Sequence, residues 1–238
     1  MALGGIDITW LGHSAWELRS PAGVRLLIDP FLSGNPKTPP ARVTVEAADV
    51  ILITHGHADH TGDILEIAAR LKPGVVTGTE VGDALEARGV ENVSAPNKGG
   101  STEVGGLRFT ATAAEHTGGI QLGGEAAGYG EPMGWIITFE DGFRIYHAGD
   151  TAVFGDMALL GELYRPDVAI LPIGDFYTMG PYEAAHAVRL LGVQHVLPTH
   201  WGTFPLLTGT PDGLRTELAK LGLSGVTVHD LTPGETLA

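Results

Sequence analysis

The chain has 238 residues, 43% of them hydrophobic and 18% charged, the make-up of a globular protein with a substantial buried core. Its 14 basic and 28 acidic residues give a formal net charge of -14, and no run of Lys or Arg breaks that balance, which argues against a nucleic-acid partner. Cysteine is absent, so disulfides and thiolate metal sites are excluded, and no apolar stretch is long enough to span a membrane.

The first residues, Met1-Ala2-Leu3-Gly4-Gly5-Ile6-Asp7, show no basic segment ahead of an apolar one, which predicts a cytoplasmic rather than a secreted protein. Runs rich in β-branched and aromatic residues predict strands over 6–10, 15–18, 24–28 and 50–53. Apolar residues at Ile64, Leu65, Ile67, Ala68 and Leu71 have helical spacing, so a helix is expected over 63–71 with Gly74 as its stop. A strand over 75–77 follows, then a helix over 80–88 with Thr79 as N-cap and Gly89 at its end, then a strand over 107–113.

The stretch 118–134 holds Gly118, Gly119, Gly123, Gly124, Gly128, Gly130 and Gly134 with little periodicity, and reads as a long loop able to close over a ligand. Segments 135–140 and 143–147 flank Asp141-Gly142, a strong hairpin signal. Helices are expected over 157–164, 182–191 (entered through Gly180-Pro181) and 214–221, and strands over 168–171, 195–197 and 226–229. Interspersed strands and helices define an α/β or α+β class, and no linker divides the chain, so one domain is expected over 1–238.

The apolar run Val50-Ile51-Leu52-Ile53 delivers Thr54-His55-Gly56-His57-Ala58-Asp59-His60 into a single loop. Imidazoles and a carboxylate packed this closely compete for space and desolvation unless a cation organises them, and nitrogen and oxygen donors suit zinc and its first-row neighbours. Three more loops follow apolar strands in the same way: Glu115-His116, His147-Ala148-Gly149-Asp150-Thr151, and Pro198-Thr199-His200-Trp201-Gly202. Strand ends converging on one crevice are where α/β proteins place their chemistry.

The chain resembles the metallo-β-lactamase superfamily, whose hallmark is the His-x-His-x-Asp-His segment at His55–His60, followed in order by a later His, Asp and His. The resemblance runs from Trp10-Leu11-Gly12-His13-Ser14 to His200 and implies a four-layer αββα sandwich. It implies one divalent ion on His55, His57 and His116, and a second on Asp59, His60 and His200, with Asp150 bridging. A Glu at position 57 would have pointed to a di-iron redox relative; His favours hydrolysis. Finer segments, Ile28-Asp29-Pro30, Pro172-Ile173-Gly174, Met179-Gly180-Pro181 and His200-Trp201-Gly202-Thr203-Phe204, resemble the uncharacterised metal-dependent hydrolases near ascorbate-6-phosphate lactonase and N-acylphosphatidylethanolamine phospholipase D.

The resulting expectation is a hydrolase in which a hydroxide between two ions attacks a small ester-type bond, a lactone or a phosphodiester, with Asp59 and Asp150 as the catalytic carboxylates. Zn²⁺ is the default ion, with Mn²⁺ and Fe²⁺ open. The rivals are a nuclease of the same superfamily and a metal-binding protein without turnover. The substrate is a small molecule, and self-association into a homo-oligomer is left open. Asp29, at a strand end, is a candidate for fixing a histidine tautomer. His13 could line the site or cap a turn, and the sequence leaves both open. His147, His186, His195 and His229 read as packing residues. Asp175 and Tyr177 are candidates for substrate contact, and Trp201 and Phe204 for apolar contact.

Overall fold

A computed structural model describes residues 3–238. In its first half the chain forms β1 (Asp7–Gly12), β2 (Ala15–Arg19), β3 (Arg25–Ile28), β4 (Val50–Leu52), the short α1 (Ala58–Thr61), α2 (Ile64–Leu71), β5 (Gly74–Val76), α3 (Thr79–Glu86) and β6 (Val93–Ser94). The second half adds β7 (Ser101–Val104), β8 (Leu107–Ala113), β9 (Gly119–Leu122), β10 (Glu125–Tyr129), β11 (Met133–Thr138), β12 (Arg144–His147), α4 (Met157–Tyr164), β13 (Val168–Pro172), α5 (Pro181–Leu191), β14 (His195–Thr199), α6 (Pro211–Lys220), β15 (Thr227–Val228) and β16 (Thr236–Leu237). Among the described residues no helix is long and apolar enough to cross a membrane.

Two seven-stranded sheets result, with orders β16-β1-β2-β3-β4-β5-β6 and β15-β14-β13-β12-β11-β8-β7. Successive side chains of a strand point to opposite faces, and here both faces are apolar because both are covered. Val50 and Leu52 turn inward with Trp16, Ile28, Phe109, Trp135, Ile137 and Ile170 to fill the space between the sheets. Their neighbours Ile51 and Ile53 turn outward onto Ile64 and Ile67 of α2 and Val81 and Leu85 of α3. On the far side Ile136, Ala169, Leu171 and Val196 meet Ala184, Val188, Leu214 and Leu218 of α5 and α6. Three apolar layers between helix, sheet, sheet and helix make the four-layer αββα sandwich of the metallo-β-lactamase fold.

The helix ends follow local chemistry. Helix α2 closes on Lys72 in the left-handed region (φ 50°), whose N–H caps Ala68, so the turn falls before Gly74, which opens β5 instead. Helix α6 starts three residues ahead of the apolar repeat, because Thr210 accepts a hydrogen bond from Gly213 N (3.1 Å) and Pro211 occupies the first turn. The Asp141-Gly142 hairpin forms as expected: Phe143 N donates to Asp141 Oδ1 at 2.9 Å and Gly142 takes φ 90°.

The stretch 118–134 departs from the expected loop. It folds into the β9–β10 hairpin, with Ile120 and Leu122 buried in the α2–α3 layer, and then enters β11. Alternation over so few residues, with Gly128 at a shift in register, left no usable sequence signal.

Candidate metal centre

The loops after β4, β8, β12 and β14 meet at one edge of the sandwich. Backbone approach at this edge demands glycine twice. A Cβ on Gly56 would lie 2.8 Å from Ile120 Cα, because β9 runs directly over the His55-Gly56-His57 turn, and Gln121 N donates to Gly56 O at 2.7 Å. Gly149, with φ 64°, lies so close to β11 that a Cβ would come within 2.6 Å of Met133 O. The glycine-rich hairpin is thus a wall fixed against the histidine motif, stitched further by Thr61 Oγ1 donating to Gln121 O at 2.6 Å.

Seven side chains singled out from the sequence converge there. His55, His57 and His116 form one group whose ligand atoms lie within 4.8 Å of one another; Asp59, His60 and His200 fall in a second, which also contains His13. Asp150 sits between the groups. Its Oδ2 is 3.1 Å from His200 Nε2, 3.3 Å from His60 Nε2, 3.7 Å from His116 Nε2 and 4.0 Å from His55 Nε2. The ring nitrogens His55 Nε2 and His57 Nδ1 approach to 2.9 Å.

One carboxylate behind this cluster sets the ring orientations. Asp29 is fully buried, with φ 45°; its Oδ1 accepts from Thr54 N at 2.8 Å, and its Oδ2 accepts from Thr54 Oγ1 at 2.7 Å and from His60 Nδ1 at 2.8 Å. With its one hydroxyl proton committed to Asp29, Thr54 Oγ1 can only accept from His55 Nδ1, 3.1 Å away. The network therefore sets the neutral tautomer of both rings, with the lone pair on Nε2 facing the cluster once the proton that Asp150 holds on His60 is displaced.

Charge is distributed unevenly. Burial pushes the His55 imidazole well down, and burial likewise lowers His57 and His116. Burial alone would lower His60 and His200 too, but Asp150 overrides it, raising His60 well above the usual range and His200 to about 9. The Asp150 and Asp59 carboxyls are held below theirs, against burial, by His200 and His60 around Asp150 and by His13 and His200 beside Asp59.

The donor set fits divalent metal. Nε2 of His60, both ring nitrogens of His200 and Oδ1 of Asp150 are buried with no hydrogen-bond partner among the described residues. Buried polar atoms rarely go unpaired, and nitrogen–oxygen sets of this kind suit Zn²⁺, Mn²⁺ or Fe²⁺.

His13, undecided from sequence, belongs to this centre. Its backbone is left-handed (φ 55°), its ring is buried with its centroid 4.0 Å from that of His200, and its Nε2 donates to Asp59 Oδ2 at 3.0 Å. Burial, then the neighbouring His200, lowers it to about 4, so it is neutral at pH 7. Its carbonyl accepts from Trp10 Nε1 (2.9 Å), Thr199 Oγ1 (2.7 Å) and His200 N (3.1 Å).

The remaining candidates separate. His147 is buried behind the site, its Nδ1 accepting from Gly149 N at 3.1 Å. His195 and His229 pair with each other at 3.1 Å, and His186 meets Arg189 on α5. Glu115 points to solvent while His116 turns inward. Tyr177 and Phe204 line the cavity in front of the cluster; Asp175 does not, its carboxylate accepting instead from Phe176 N. Trp201 also stays out of the cavity, stacking on Trp10 with ring centroids 5.3 Å apart.

Residues 24–201 match a family model described as a beta-lactamase superfamily domain. A UPF0173 metal-dependent hydrolase of Rubrobacter xylanophilus is 50% identical over 236 residues, 99% of this chain and 97% of that protein. Another, from Koribacter versatilis, is 46% identical over 236 residues and 99% of both chains. The structure of Igni18, described as a novel metallo hydrolase from the hyperthermophilic archaeon Ignicoccus hospitalis, superposes with a TM-score of 0.85 at 34% identity, covering 98% of this chain and 97% of that one. With fold, loop geometry and relatives in agreement, the chain belongs to the UPF0173 metal-dependent hydrolase family of the metallo-β-lactamase superfamily.

Proposed function

We propose that this metal-dependent hydrolase works with two divalent ions and cleaves a small ester-type bond, a lactone or a phosphodiester. The observation that carries the reading is Asp150 Oδ2 standing 3.1 to 4.0 Å from four imidazole nitrogens that arrive on three different loops. His55, His57 and His116 would hold one ion, Asp59, His60 and His200 the other, and Asp150 would serve both. When bound, such ions supply Lewis-acid polarisation of the reacting oxygen and a water acidic enough to attack at neutral pH.

The protein's own part is positioning. Asp29 and Thr54 fix two tautomers, and the closed floor formed by His55 and His60 keeps bulk water away from the rear of the site. The Asp59 side chain is 35% exposed and is pinned at Oδ2 by His13, so it is the carboxylate that a water in the cavity reaches and that can orient it. A nuclease reading finds no support: no Lys or Arg lines the cavity, and the net charge is -14.

The test is metal analysis joined to a substrate screen. Protein loaded with Zn²⁺ or Mn²⁺ is expected to carry two ions per chain and to hydrolyse members of an ester, lactone, phosphodiester and phosphonate panel. Full metal loading with no turnover on any of them would leave a binding protein and remove the hydrolase reading.

A further inference from the structure

The cavity in front of the cluster has a volume of about 790 Å³, the size of a site for a whole small molecule rather than for a reacting group alone. Its floor carries the histidines and the carboxylates Asp59 and Asp150. Its walls are Phe31, Tyr177, Phe204, Pro205 and Leu206, with the uncharged Thr117 and Gln121 between them.

Two features stand out. Among the described residues no Lys or Arg lines the cavity, so an anionic group lying against the walls, away from the histidine floor, would find no counter-charge there. And the wall is apolar where apolar groups are costly: Tyr177 is 53% exposed, Leu206 47% and Phe204 37%. The loop bearing Tyr177 is held in an unusual conformation, Asp175 and Phe176 both taking left-handed backbone (φ 67° and 60°), which lifts the Phe176–Tyr177 pair out beside the mouth.

We infer that the part of the substrate remote from the scissile bond is a neutral apolar chain seated between Phe31, Tyr177, Phe204 and Leu206, which makes the substrate a carboxylic ester or lactone with an aliphatic tail and not a sugar phosphate or nucleotide. This rests on the hydrolase reading and narrows it. The reaction needs no further reagent: water adds to the acyl carbon, the acyl C–O bond breaks, and the proton left over goes to the departing alkoxide, giving acid and alcohol.

Binding and turnover are read separately. The metal-loaded protein is titrated by calorimetry with the methyl ketones from 2-butanone to 2-decanone, which present an ester-like carbonyl that water cannot cleave. In parallel it is assayed on p-nitrophenyl acetate, butyrate and octanoate. Affinity for the ketones is expected to rise about two- to fourfold per added methylene. Tyr177→Asp and Leu206→Asp should flatten that slope and lower the octanoate-to-acetate ratio of kcat/KM, while Leu163→Asp, an equally exposed apolar residue on α4, should leave the slope in place. A flat ketone series overturns this inference even with ester hydrolysis intact. A retained slope with no hydrolysis of any carboxylic ester or lactone overturns the ester assignment, and the hydrolase reading falls with it only if phosphodiesters and phosphonates are not cleaved either.

Discussion

The buried carboxylate of Asp29 and the imidazole of His60 meet at 2.8 Å, and the same oxygen reaches His55 through the Thr54 hydroxyl. Two rings of the cluster therefore depend on one buried side chain that stands behind them. An amide cannot replace this carboxylate, because three donors converge on its two oxygens and Asn would set its NH₂ against at least one of them. Asp29→Asn is expected to weaken metal binding about 10- to 100-fold without unfolding the protein. Competition with a chelator indicator measures this, and wild-type affinity in the variant would remove Asp29 from the role.

Ligand and bystander histidines should part cleanly. His57→Ala and Asp150→Ala each delete a donor and should lose metal and activity together. His195→Ala and His229→Ala only break a half-buried pair away from the cluster and should keep both, with stability changed by about 1 kcal/mol. Metal content per chain after dialysis decides the matter; His195→Ala protein that came out as empty as His57→Ala would overturn the ligand assignment.

The metal-free protein should be most stable near pH 6.5. His13 and His147 lie at about 4 when folded against 6.5 unfolded, so the unfolded chain takes up more protons as pH falls from 6.5 towards 4, and stability drops. His200 lies at about 9 when folded, so its contribution is complete below pH 6.5 and is lost as pH rises towards 9. Urea midpoints across this range should trace a dome. Saturating metal should flatten the alkaline limb, since an ion takes the place of the proton on His200. An alkaline limb that persists unchanged with metal bound would contradict the placement of His200.

Gly56→Ala tests the contact between the histidine turn and β9. The added methyl would press on the backbone of Ile120 at 2.8 Å, so the hairpin must shift. A loss of about 1–3 kcal/mol is expected, with weaker metal binding because His55 and His57 flank the site of strain. Gly142→Ala, with open space around it but φ 90°, should cost stability alone.

How far the sequence reveals this site depends on how local each signal is. His55 to His60 lie in one turn after a strand whose every residue is apolar, so motif and position are read together. His116, Asp150 and His200 follow because each also ends an apolar run. The hairpin β9–β10 is hidden in the sequence because its glycines imitate a loop, and what orders it is contact with Gly56 and Thr61, some 60 residues away in sequence. Strand β16 is two residues long and exists through pairing with β1 at the opposite end of the chain. The part played by His13 depends on Thr199 and His200, again far from it in sequence.

The carbonyl of His13 gathers donors from both sheets, Trp10 on one side and Thr199 and His200 on the other. A peptide oxygen survives every substitution, so this rivet across the seam of the sandwich is indifferent to which side chain residue 13 carries, as long as the left-handed turn is kept. Fastening and chemistry are thereby decoupled at a single position. Asn, at ease with that backbone, would hold the seam while removing the ring, and whatever then changed in the enzyme would be the work of the imidazole beside Asp59 alone.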